Sequence, residues 1–455
     1  MKTTRYSLAM NKSEASKSPT QVYLDSLGLI PGGTQLFSKK PELFNKDVWP
    51  VYFKSAKGIS IKTTDGRSLR DMSNMGVGSC VLGYADDYVS RKVKAVINLG
   101  VQSTLIAPEE IELAEKLIEI HPWAQMVRFA RAGGEAMSIA VRIARVSTGR
   151  DVVLFSGYHG WADWYLAANL SSEDQLSKVL LPGLSSRGVP AGLSDTAIAF
   201  QFNNIERVRK LIGDYKGRIA SIVMEPRRSE EPLPGYLEEV RKICKAEGIV
   251  LIFDEITTGW RARSGGIHLN GNVTPDIAVF AKAMANGHAM SAIIGTREVM
   301  ENANASFISS TNWTERVGPT AALATIAKYE KNQVQDHLAW AGTEVSTGWK
   351  NIAESYGLEI DANDGGLPAL SSFSFKYPFS RGLDVIFCQL MLEKGWLAHN
   401  QFKPSLSHTK KDIKQYLDSV DQVFKALSIK IESDQEFLIE KSQSNPAPTI
   451  PRLTK

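Results

Sequence analysis

Two ionisable residues, Asp254 and Lys282, follow two short apolar runs and could do chemistry together. Asp254 follows the run Ile-Val-Leu-Ile-Phe at residues 249–253, and Lys282 follows the run Ile-Ala-Val-Phe-Ala at residues 277–281. Short, continuous apolar runs are typical of buried parallel strands. Ligands of open α/β sheets bind just beyond the carboxyl ends of such strands. We therefore expect a carboxylate and an amine to lie close together at one edge of a sheet.

An amine and a carboxylate in this arrangement suit pyridoxal phosphate especially well. This cofactor needs a lysine to form its Schiff base and an acid to hold its ring nitrogen protonated. Each residue alone has an ordinary explanation, because a lysine after a strand is usually solvated and an aspartate there is often a helix N-cap. The apolar runs on both sides of Lys282 favour the functional interpretation, since desolvation makes a lysine amine nucleophilic.

A pair of glycines, Gly133 and Gly134, precedes a helix predicted over residues 135–148. Apolar residues at helical spacing predict this helix, and Gly149 ends it. Glycines at a helix entry let backbone N–H groups approach a phosphate, and the helix dipole favours the anion. A Gly-Gly pair is also an ordinary turn, so the pair alone does not decide the matter. Further along, Tyr158 could stack on a planar ring or pack in the core.

Together these features resemble the class III (fold type I) pyridoxal-phosphate aminotransferases, and most closely their glutamate-1-semialdehyde 2,1-aminomutase branch. The resemblance covers about residues 30–409 and depends on three motifs: Tyr-His-Gly at 158–160, Asp-Glu-x-x-Thr-Gly-x-Arg at 254–261, and Thr-Pro-Asp…Lys at 274–282. It implies an α/β fold with a large, mostly parallel sheet domain and a smaller α+β domain built from the N- and C-terminal segments. It also implies pyridoxal 5′-phosphate as the cofactor and amino transfer as the activity.

The resemblance gives each matching residue a role. Lys282 would form the Schiff base and carry the proton between substrate carbon and cofactor, and Asp254 would pair with the ring nitrogen. The remaining residues would bind the phosphate through backbone amides (Gly133, Gly134), stack on the ring (Tyr158), lie close to the cofactor (Glu225), touch its hydroxyl (Thr257) and reach the phosphate of a neighbouring subunit (Thr314). Glu225 could equally be a structural acceptor at a strand end, and Thr257 could merely pack. The role of Thr314 requires a homodimer with shared active sites.

The chain departs from the aminomutase pattern at Ile256-Thr257, where the family usually has Val-Met or Val-Gln, and at two further places. Aminomutases have an arginine after their N-terminal Gly-Gly, whereas residues 32–41 read Gly-Gly-Thr-Gln-Leu-Phe-Ser-Lys-Lys-Pro. Lysine cannot reproduce the carboxylate-binding fork of arginine, so we expect another substrate, with Lys39 and Trp161 as candidate substrate residues. The phosphate turn reads Arg131-Ala-Gly-Gly where the family usually has Asn-Ser-Gly-Thr. This change removes a hydroxyl donor and adds a cation nearby.

The acceptor is predicted less directly than the cofactor. Several aromatic residues cluster on the expected substrate side (Trp161, Trp164, Tyr165, Trp313). They could form a platform for a sugar or nucleotide, although burial in a core or interface is the commoner role of such rings. The resemblance, and not the spacing of these rings, implies a bulky polar acceptor such as an oxo-sugar or a surface-polysaccharide precursor. An intramolecular aminomutase, a racemase, and outside this cofactor class a dehydrogenase or a silent α/β binding protein remain open, although no Gly-x-Gly-x-x-Gly run supports a dehydrogenase.

Composition is compatible with a cytoplasmic enzyme. The chain has 455 residues, 43% of them apolar, and a net charge of +4, which gives no reason to expect nucleic acid or membrane as a partner. Three scattered cysteines (Cys80, Cys244, Cys388) indicate a reducing compartment. The first twelve residues do not read as a signal peptide, and no apolar run is long enough to span a bilayer. Without HxxxH or CxxC spacing, we predict no metal site.

The chain divides, in this interpretation, into four parts. Residues 1–75 form an N-terminal segment that joins the small domain and the dimer contacts, and residues 76–320 form the large cofactor-binding domain. Residues 321–440 form the C-terminal small domain, and residues 441–455 an irregular Ser/Pro-rich tail. The N-terminal segment includes a predicted hairpin with a turn at Asp65-Gly66.

Overall fold

The computed structural model describes residues 19–171, 184–227 and 230–446. The first 18 residues of the predicted N-terminal segment lie outside this part of the chain. The helices are α1 (Pro19–Ser26), α2 (Met75–Gly78), α3 (Asp87–Asn98), α4 (Glu109–Ile120), α5 (Gly133–Thr148), α6 (Asp163–Leu166), α7 (Ala168–Ser171), α8 (Ile205–Asp214), α9 (Tyr236–Glu247), α10 (Arg297–Met300), α11 (Val317–Lys331), α12 (Val334–Ser355), α13 (Ser380–Glu393), α14 (Lys410–Ser433) and α15 (Gln435–Ser444). The strands are β1 (Phe53–Lys57), β2 (Ser60–Thr63), β3 (Ser68–Asp71), β4 (Met126–Ala130), β5 (Val152–Ser156), β6 (Ala197–Ala199), β7 (Ile219–Met224), β8 (Val250–Asp254), β9 (Ile277–Phe280), β10 (Ser291–Gly295), β11 (Ile360–Asn363), β12 (Ser371–Phe375), β13 (Trp396–Leu397) and β14 (Gln401–Phe402).

A seven-stranded sheet in the order β4-β10-β9-β8-β7-β5-β6 forms the centre of the molecule. Strands β6, β5, β7, β8 and β9 run parallel to one another, and β10 pairs antiparallel with both β9 and β4. Strands β5, β7, β8 and β9 are buried along their whole length. Burial on both faces explains why they read as continuous apolar runs. The predicted α/β class with a mostly parallel sheet is confirmed.

Helices cover both faces of this sheet, because successive strand residues point to opposite sides. Val153 and Phe155 of β5 pack with the apolar face of α5 in one core cluster. Val152 and Leu154 of the same strand pack with α8 and α9 in another. The carboxyl ends of the parallel strands are thereby left to the loops that follow them.

Two small sheets lie outside the central one. The first has the order β1-β2-β3-β13, and β2 and β3 form the predicted hairpin, with Gly66 in the left-handed region at φ +90°. Since β13 pairs parallel with β3, the N- and C-terminal segments share this sheet, as the fold prediction requires. The second sheet, β11-β12-β14, contributes to a core with α12, α13 and α14. The boundaries at residues 75, 320 and 440 stay predictions.

The predicted irregular tail is wrong at its beginning. Helix α15 extends to Ser444, so residues 441–444 are helical, and the remainder from residue 447 lies outside the described part. The Asp434 side chain caps this helix by accepting from Phe437 N, and Leu438 is completely buried against α13. Burial of one apolar side chain in the C-terminal core outweighs the polar composition that predicted a loop. Helix α14 is therefore followed by one more helix.

Candidate active site

Asp254 and Lys282 lie at the carboxyl ends of neighbouring parallel strands. Asp254 is the last residue of β8 and is in register with Val279 of β9, three residues before Lys282. Lys282 has a left-handed backbone, with φ +45°, a strained conformation for a residue with a side chain. Its Nζ donates a hydrogen bond to Thr257 Oγ1 at 2.9 Å. Asp254 and Lys282 therefore follow adjacent strands at the same edge of the sheet, as predicted.

The Asp254 carboxylate is almost completely buried and is held by His159. Asp254 is 3% exposed and His159 2% exposed. Asp254 Oδ2 accepts from His159 Nδ1 at 2.8 Å, and Oδ1 accepts from Ile256 N at 3.0 Å. The other ring nitrogen of His159 lies 2.9 Å from the carbonyl oxygen of Ser156. The sequence marked position 159 only as the middle of the Tyr-His-Gly motif and did not identify His159 as the partner of Asp254.

The next residue, Glu255, belongs to a separate buried network. Its Oε1 accepts from the Nδ1 and the backbone N of His268, and its Oε2 accepts from the Thr258 hydroxyl. Trp123 Nε1 donates to the remaining nitrogen of His268 at 3.0 Å. Burial opposes ionisation of Glu255, but the hydrogen bonds from His268 and Thr258 outweigh it and hold its pKa below the usual range. This network supports the loop that begins at Asp254.

Three glycines let the start of α5 and the Tyr-His-Gly turn approach each other. A Cβ on Gly160, whose φ is +108°, would lie 3.0 Å from the Cα of Gly134. A Cβ on Gly133 would lie 2.9 Å from Ile256 Cδ1, and a Cβ on Gly134 would lie 3.3 Å from Trp161 Cδ1. The backbone at this helix entry is therefore close-packed on side chains and has no room for larger residues.

Arg131 does not extend toward the helix entry. Its Nη2 donates to the carbonyl oxygens of Trp313 at 2.8 Å and Glu315 at 2.7 Å, and its Nε lies 2.9 Å from the Glu315 carboxylate. The cation that the sequence adds at this turn is therefore neutralised by Glu315. Thr314 stands between the two residues that Arg131 holds, and its hydroxyl accepts from Gln102 Nε2 at 3.2 Å. Arg131 thus joins the turn before Gly133 to the segment that carries Thr314.

Tyr158 and Glu225 flank the same turn. The Tyr158 ring is 37% exposed and meets Tyr165 edge-on, with ring centroids 5.9 Å apart. Glu225 is buried just after β7, and its Oε2 lies 3.4 Å from where a Cβ on Gly157 would stand. The structure therefore brings both residues to the neighbourhood of His159 and Asp254.

A cavity of about 160 Å³ adjoins this cluster at Thr257. Residues of the second small sheet and its loops supply the opposite wall, including Asp364, Gln401 and Lys403. Neither predicted substrate residue lines it. Trp161 is 75% exposed and borders a different groove on the outer side of α5, and Lys39 lies in an exposed turn before β1. Sequence analysis missed Lys403, because no motif marks the position.

These residues fit pyridoxal phosphate by their chemistry. Gly133 and Gly134 let the backbone at the N-terminus of α5 pack closely against its neighbours, and a helix N-terminus is where phosphates bind. A buried carboxylate and a half-buried lysine lie near it, joined through the Ile256 and Thr257 loop. Across residues 19–171, 184–227 and 230–446, no cluster of three or more metal-binding side chains occurs. In the same ranges, every helix is too short or too polar to cross a bilayer.

Comparison with known proteins gives the class of this chain. The sequence profile of the class III aminotransferases matches residues 44–424, so the chain belongs to that family. It is 31% identical over 321 residues to a 2'-deamino-2'-hydroxyneamine transaminase of Streptomyces kanamyceticus, covering 70% of this chain and 76% of that one. It is also 30% identical over 429 residues to a glutamate-1-semialdehyde 2,1-aminomutase of Citrifermentans bemidjiense, covering 90% of this chain and 99% of that one.

A solved structure supports the fold. The internal aldimine form of the FumI protein of Sphingopyxis sp. MTA144, with pyridoxal phosphate, superposes with a TM-score of 0.81 over 91% of this chain and 97% of that one. Sequence identity is 21%, which shows the fold alone. Family and fold together make the chain a pyridoxal-phosphate enzyme of the aminotransferase type, and the resemblance stated from its motifs is confirmed.

Proposed function

We propose that this aminotransferase moves an amino group from an amino acid donor to the carbonyl of an oxo-sugar, with Lys282 as the residue that carries the cofactor. One observation carries the proposal. Lys282 follows β9, and its Nζ donates a hydrogen bond to Thr257. The buried carboxylate of Asp254 lies at the end of the adjacent strand β8. An amine and an acid at adjacent strand ends are the two groups that the cofactor requires.

The cofactor, when bound, supplies an aldehyde for the amino group and a ring that delocalises negative charge from the substrate carbon. Asp254 favours a proton on the ring nitrogen, and His159 keeps its carboxylate in one orientation. Lys282 moves a proton at the substrate carbon, because its amine is mobile at the end of a long side chain. The Thr257 hydroxyl accepts a hydrogen bond from that amine and limits where it can point.

The phosphate is assigned to the backbone amides of Gly133 and Gly134 at the start of α5. Two N–H groups just before them, those of Arg131 and Ala132, are already satisfied by the Glu135 carboxylate at 3.0 and 3.3 Å. The first amides of a helix have no acceptor within it. This arrangement supports an anion at Gly133 and Gly134, and Tyr158, Glu225 and Thr257 are proposed to border the cofactor ring.

The proposed acceptor is supported by one relative and by one departure of this sequence from the aminomutase pattern. A relative that is 31% identical is a 2'-deamino-2'-hydroxyneamine transaminase, a name that describes amino transfer on a neamine derivative. The second candidate, intramolecular amino transfer, is favoured by the aminomutase match over 90% of the chain. Against it, residues 32–41 lack the arginine that would hold a substrate carboxylate. We therefore favour transfer between two molecules.

A homodimer in the cytoplasm is part of the proposal. Leu105 and Phe307 are 80% and 86% exposed and lie on two loops joined where Gln102 bonds the Thr311 carbonyl and the Thr314 hydroxyl. Large exposed apolar side chains on these two loops favour a protein interface, and a second copy would bring Thr314 to the other site. The three cysteines are all free and buried, which suits a reducing compartment.

Chemical reduction tests the proposal. Borohydride treatment of the purified holoenzyme should leave a pyridoxyl mass on the peptide that contains Lys282. The Lys282→Ala variant should show none. The donor and acceptor are then screened through the cofactor spectrum, with the keto acid product of the donor measured directly. Release of a keto acid supports transfer, whereas turnover of glutamate semialdehyde alone would assign the chain to the aminomutases. Absence of the pyridoxyl mass in the wild-type peptide would refute the assignment of Lys282.

A further inference from the structure

One wall of the cavity beside Thr257 is made by a short loop between β11 and β12. This cavity loop, residues 363–366, starts at the last residue of β11 and contributes three residues to the lining. Thr257 accepts the hydrogen bond from Lys282, so the cavity begins one hydrogen bond from the amine proposed to act on the substrate. Its volume of about 160 Å³ suits the reacting end of a sugar rather than a whole sugar nucleotide. The position of the cavity loop therefore decides how much of a substrate can enter.

The cavity loop has a shape that its own residues fix. Gly365 and Gly366 both have left-handed backbones, with φ +56° and +67°. The N–H group of Gly365 donates to Asn363 Oδ1 at 2.7 Å. The N–H group of Gly366 donates to Asp364 Oδ1 at 2.8 Å. Since both N–H groups bond within the loop, the two glycine carbonyls are the groups that tie it to the rest of the molecule.

Arg227, just after β7 of the central sheet, donates to both of these carbonyls. Its Nε donates to the Gly365 carbonyl at 3.1 Å, and its Nη2 donates to the Gly366 carbonyl at 2.5 Å. The approach is so close that a Cβ on Gly366 would overlap Arg227 Nη2. The Arg227 side chain is 23% exposed, so the contact is mostly shielded from water. A guanidinium suits this pair of acceptors, because its donors form a planar fork.

Arg227 is itself held on the side of the central sheet. Its Nη2 also donates to the carboxylate of Glu231. Asn203, in the loop after β6, donates from Nδ2 to the Glu231 carbonyl at 2.9 Å, and its Oδ1 accepts from Leu233 N at 2.8 Å. The segment that carries Glu231 is thus bonded to a second loop of the central sheet. Arg227 therefore connects a supported segment to the cavity loop, 138 residues further along the chain.

We propose that Arg227 is a positioning residue that fixes the cavity loop and so limits the size of the group that can reach Lys282. The proposal rests on the proposed function, because it takes Lys282 as the reacting amine. Arg227 acts through the two glycine carbonyls and does not touch the reacting atoms. Without its guanidinium, the cavity loop loses both hydrogen bonds to the segment after β7, and this wall of the cavity can move outward. Loosened variants should therefore admit bulkier molecules than the wild-type enzyme does.

Hydrogen exchange tests the contact in the holoenzyme. In Arg227→Met, the peptide that contains residues 363–367 should exchange its amide hydrogens at least tenfold faster than in wild type. Arg297→Met is the matched control, because Arg297 also pairs with a glutamate four residues further on, Glu301, and both side chains are exposed. It should leave exchange in this peptide unchanged. Arg227→Lys should fall between Arg227→Met and wild type, since an ammonium lacks the fork that bonds both carbonyls.

Two probes of different size test access to the lysine. Hydroxylamine and phenylhydrazine each form a carbon–nitrogen double bond to the cofactor aldehyde carbon and release the lysine amine. Both rates are read from the loss of the cofactor absorbance of the holoenzyme. Arg227→Met should raise the rate with phenylhydrazine at least tenfold more than the rate with hydroxylamine, whereas Arg297→Met should change neither rate. An unchanged ratio of the two rates in Arg227→Met would overturn the proposal.

Gly366→Ala disturbs the same contact from the other side. It should reproduce both effects of Arg227→Met, and the double variant should show no more than either single variant. Gly357→Ala is its control, because Gly357 has a similar φ of +63° with open space around it. Additive effects in the double variant, or equal effects of the two glycine variants, would contradict the assignment of Arg227.

Failure of the proposed function would look different from failure of this proposal. If wild-type holoenzyme reacts with no amine donor, the proposed function is refuted, and hydrogen exchange in residues 363–367 still reports on Arg227. Thermal unfolding and cofactor absorbance equal to those of wild type establish that each variant is folded and loaded. If Arg227→Met does not fold, Arg227→Lys and Gly366→Ala provide the same comparison.

Discussion

The buried pair of Asp254 and His159 should be strongly coupled, and a double-mutant cycle can measure this coupling. The side chains are 4% and 0% exposed and their atoms lie 2.8 Å apart. Removing the hydrogen-bond partner of a buried carboxylate typically costs about 3 kcal/mol, since the carboxylate stays buried without that hydrogen bond. Asp254 keeps its bond from Ile256 N, so we expect His159→Leu to cost about 3 kcal/mol in the apoenzyme. Asp254→Asn, which removes the charge and keeps polar atoms, should cost about 1–2 kcal/mol.

The double variant should be less destabilised than the sum of the single variants. With both Asp254→Asn and His159→Leu no charge remains buried at the site, so we expect a coupling energy of about 2 kcal/mol. The assay is urea unfolding of the apoenzyme at pH 7.5 and at one fixed protein concentration, because dimer dissociation would contribute to the apparent stability. Additivity within about 0.5 kcal/mol would refute the argument that the pair is a coupled unit.

A second ion pair provides the control for function. Arg241 of α9 forms two hydrogen bonds with Asp276 at 2.6 and 2.8 Å, and both side chains are largely buried. A cycle with Arg241→Met and Asp276→Asn should also show coupling in unfolding. It should leave the half-reaction of the holoenzyme unchanged, whereas every variant at Asp254 or His159 should slow it at least tenfold. Equal effects of the two cycles on the half-reaction would mean that the Asp254 pair is only structural.

Three further predictions concern the cofactor turn, the C-terminal domain and the subunit boundary. Gly160→Ala should weaken cofactor binding at least tenfold in a fluorescence titration, since its Cβ would meet the backbone of α5 at 3.0 Å and its φ is +108°, while Gly213→Ala, with open space around it, should not. Burial raises the pKa of Asp384 to about 6 although Arg381 opposes the shift, so the folded state keeps a proton that the unfolded state loses near pH 4, and stability falls as pH rises from 4 to 6. Asp384→Asn should therefore raise the free energy of unfolding by about 2–3 kcal/mol at pH 7.5 and change it little at pH 4, which urea unfolding at both values checks. Phe307→Glu should shift sedimentation from dimer to monomer, because it places a charge on the proposed apolar interface.

The positions of Asp254 and Lys282 could be predicted because the sequence records strand burial directly. Strands β8 and β9 are buried on both faces, so their sequences are continuously apolar and each polar residue that follows marks a strand end. Parallel neighbours place those ends side by side. The same reasoning placed the Asp65-Gly66 turn and the helix after Gly133. Each of these features is determined by residues that are neighbours in the sequence.

The partners of these residues could not be predicted in that way. His159 and Asp254 are 95 residues apart, and only the pairing of β5 with β7 and of β7 with β8 brings their strands into one sheet. Lys403 lines the cavity because β14 pairs with β12, and its direction depends on Asn74, 329 residues away. Nothing near position 403 indicates this. Side-chain direction at a site is decided by packing across the chain, which one sequence does not display.

Arg131 shows how such a contact changes the meaning of a sequence departure. Within the motif alone, an arginine in place of asparagine reads as an added cation for the phosphate. The geometry instead pairs it with Glu315, whose two carboxylate oxygens also accept from Val317 N and Gly318 N at the start of α11. The arginine therefore joins the cofactor turn to the segment of Thr314, which is proposed to act across the subunit boundary. The departure therefore changes what connects the cofactor turn to the segment of Thr314, and it does not place a free cation at the helix entry.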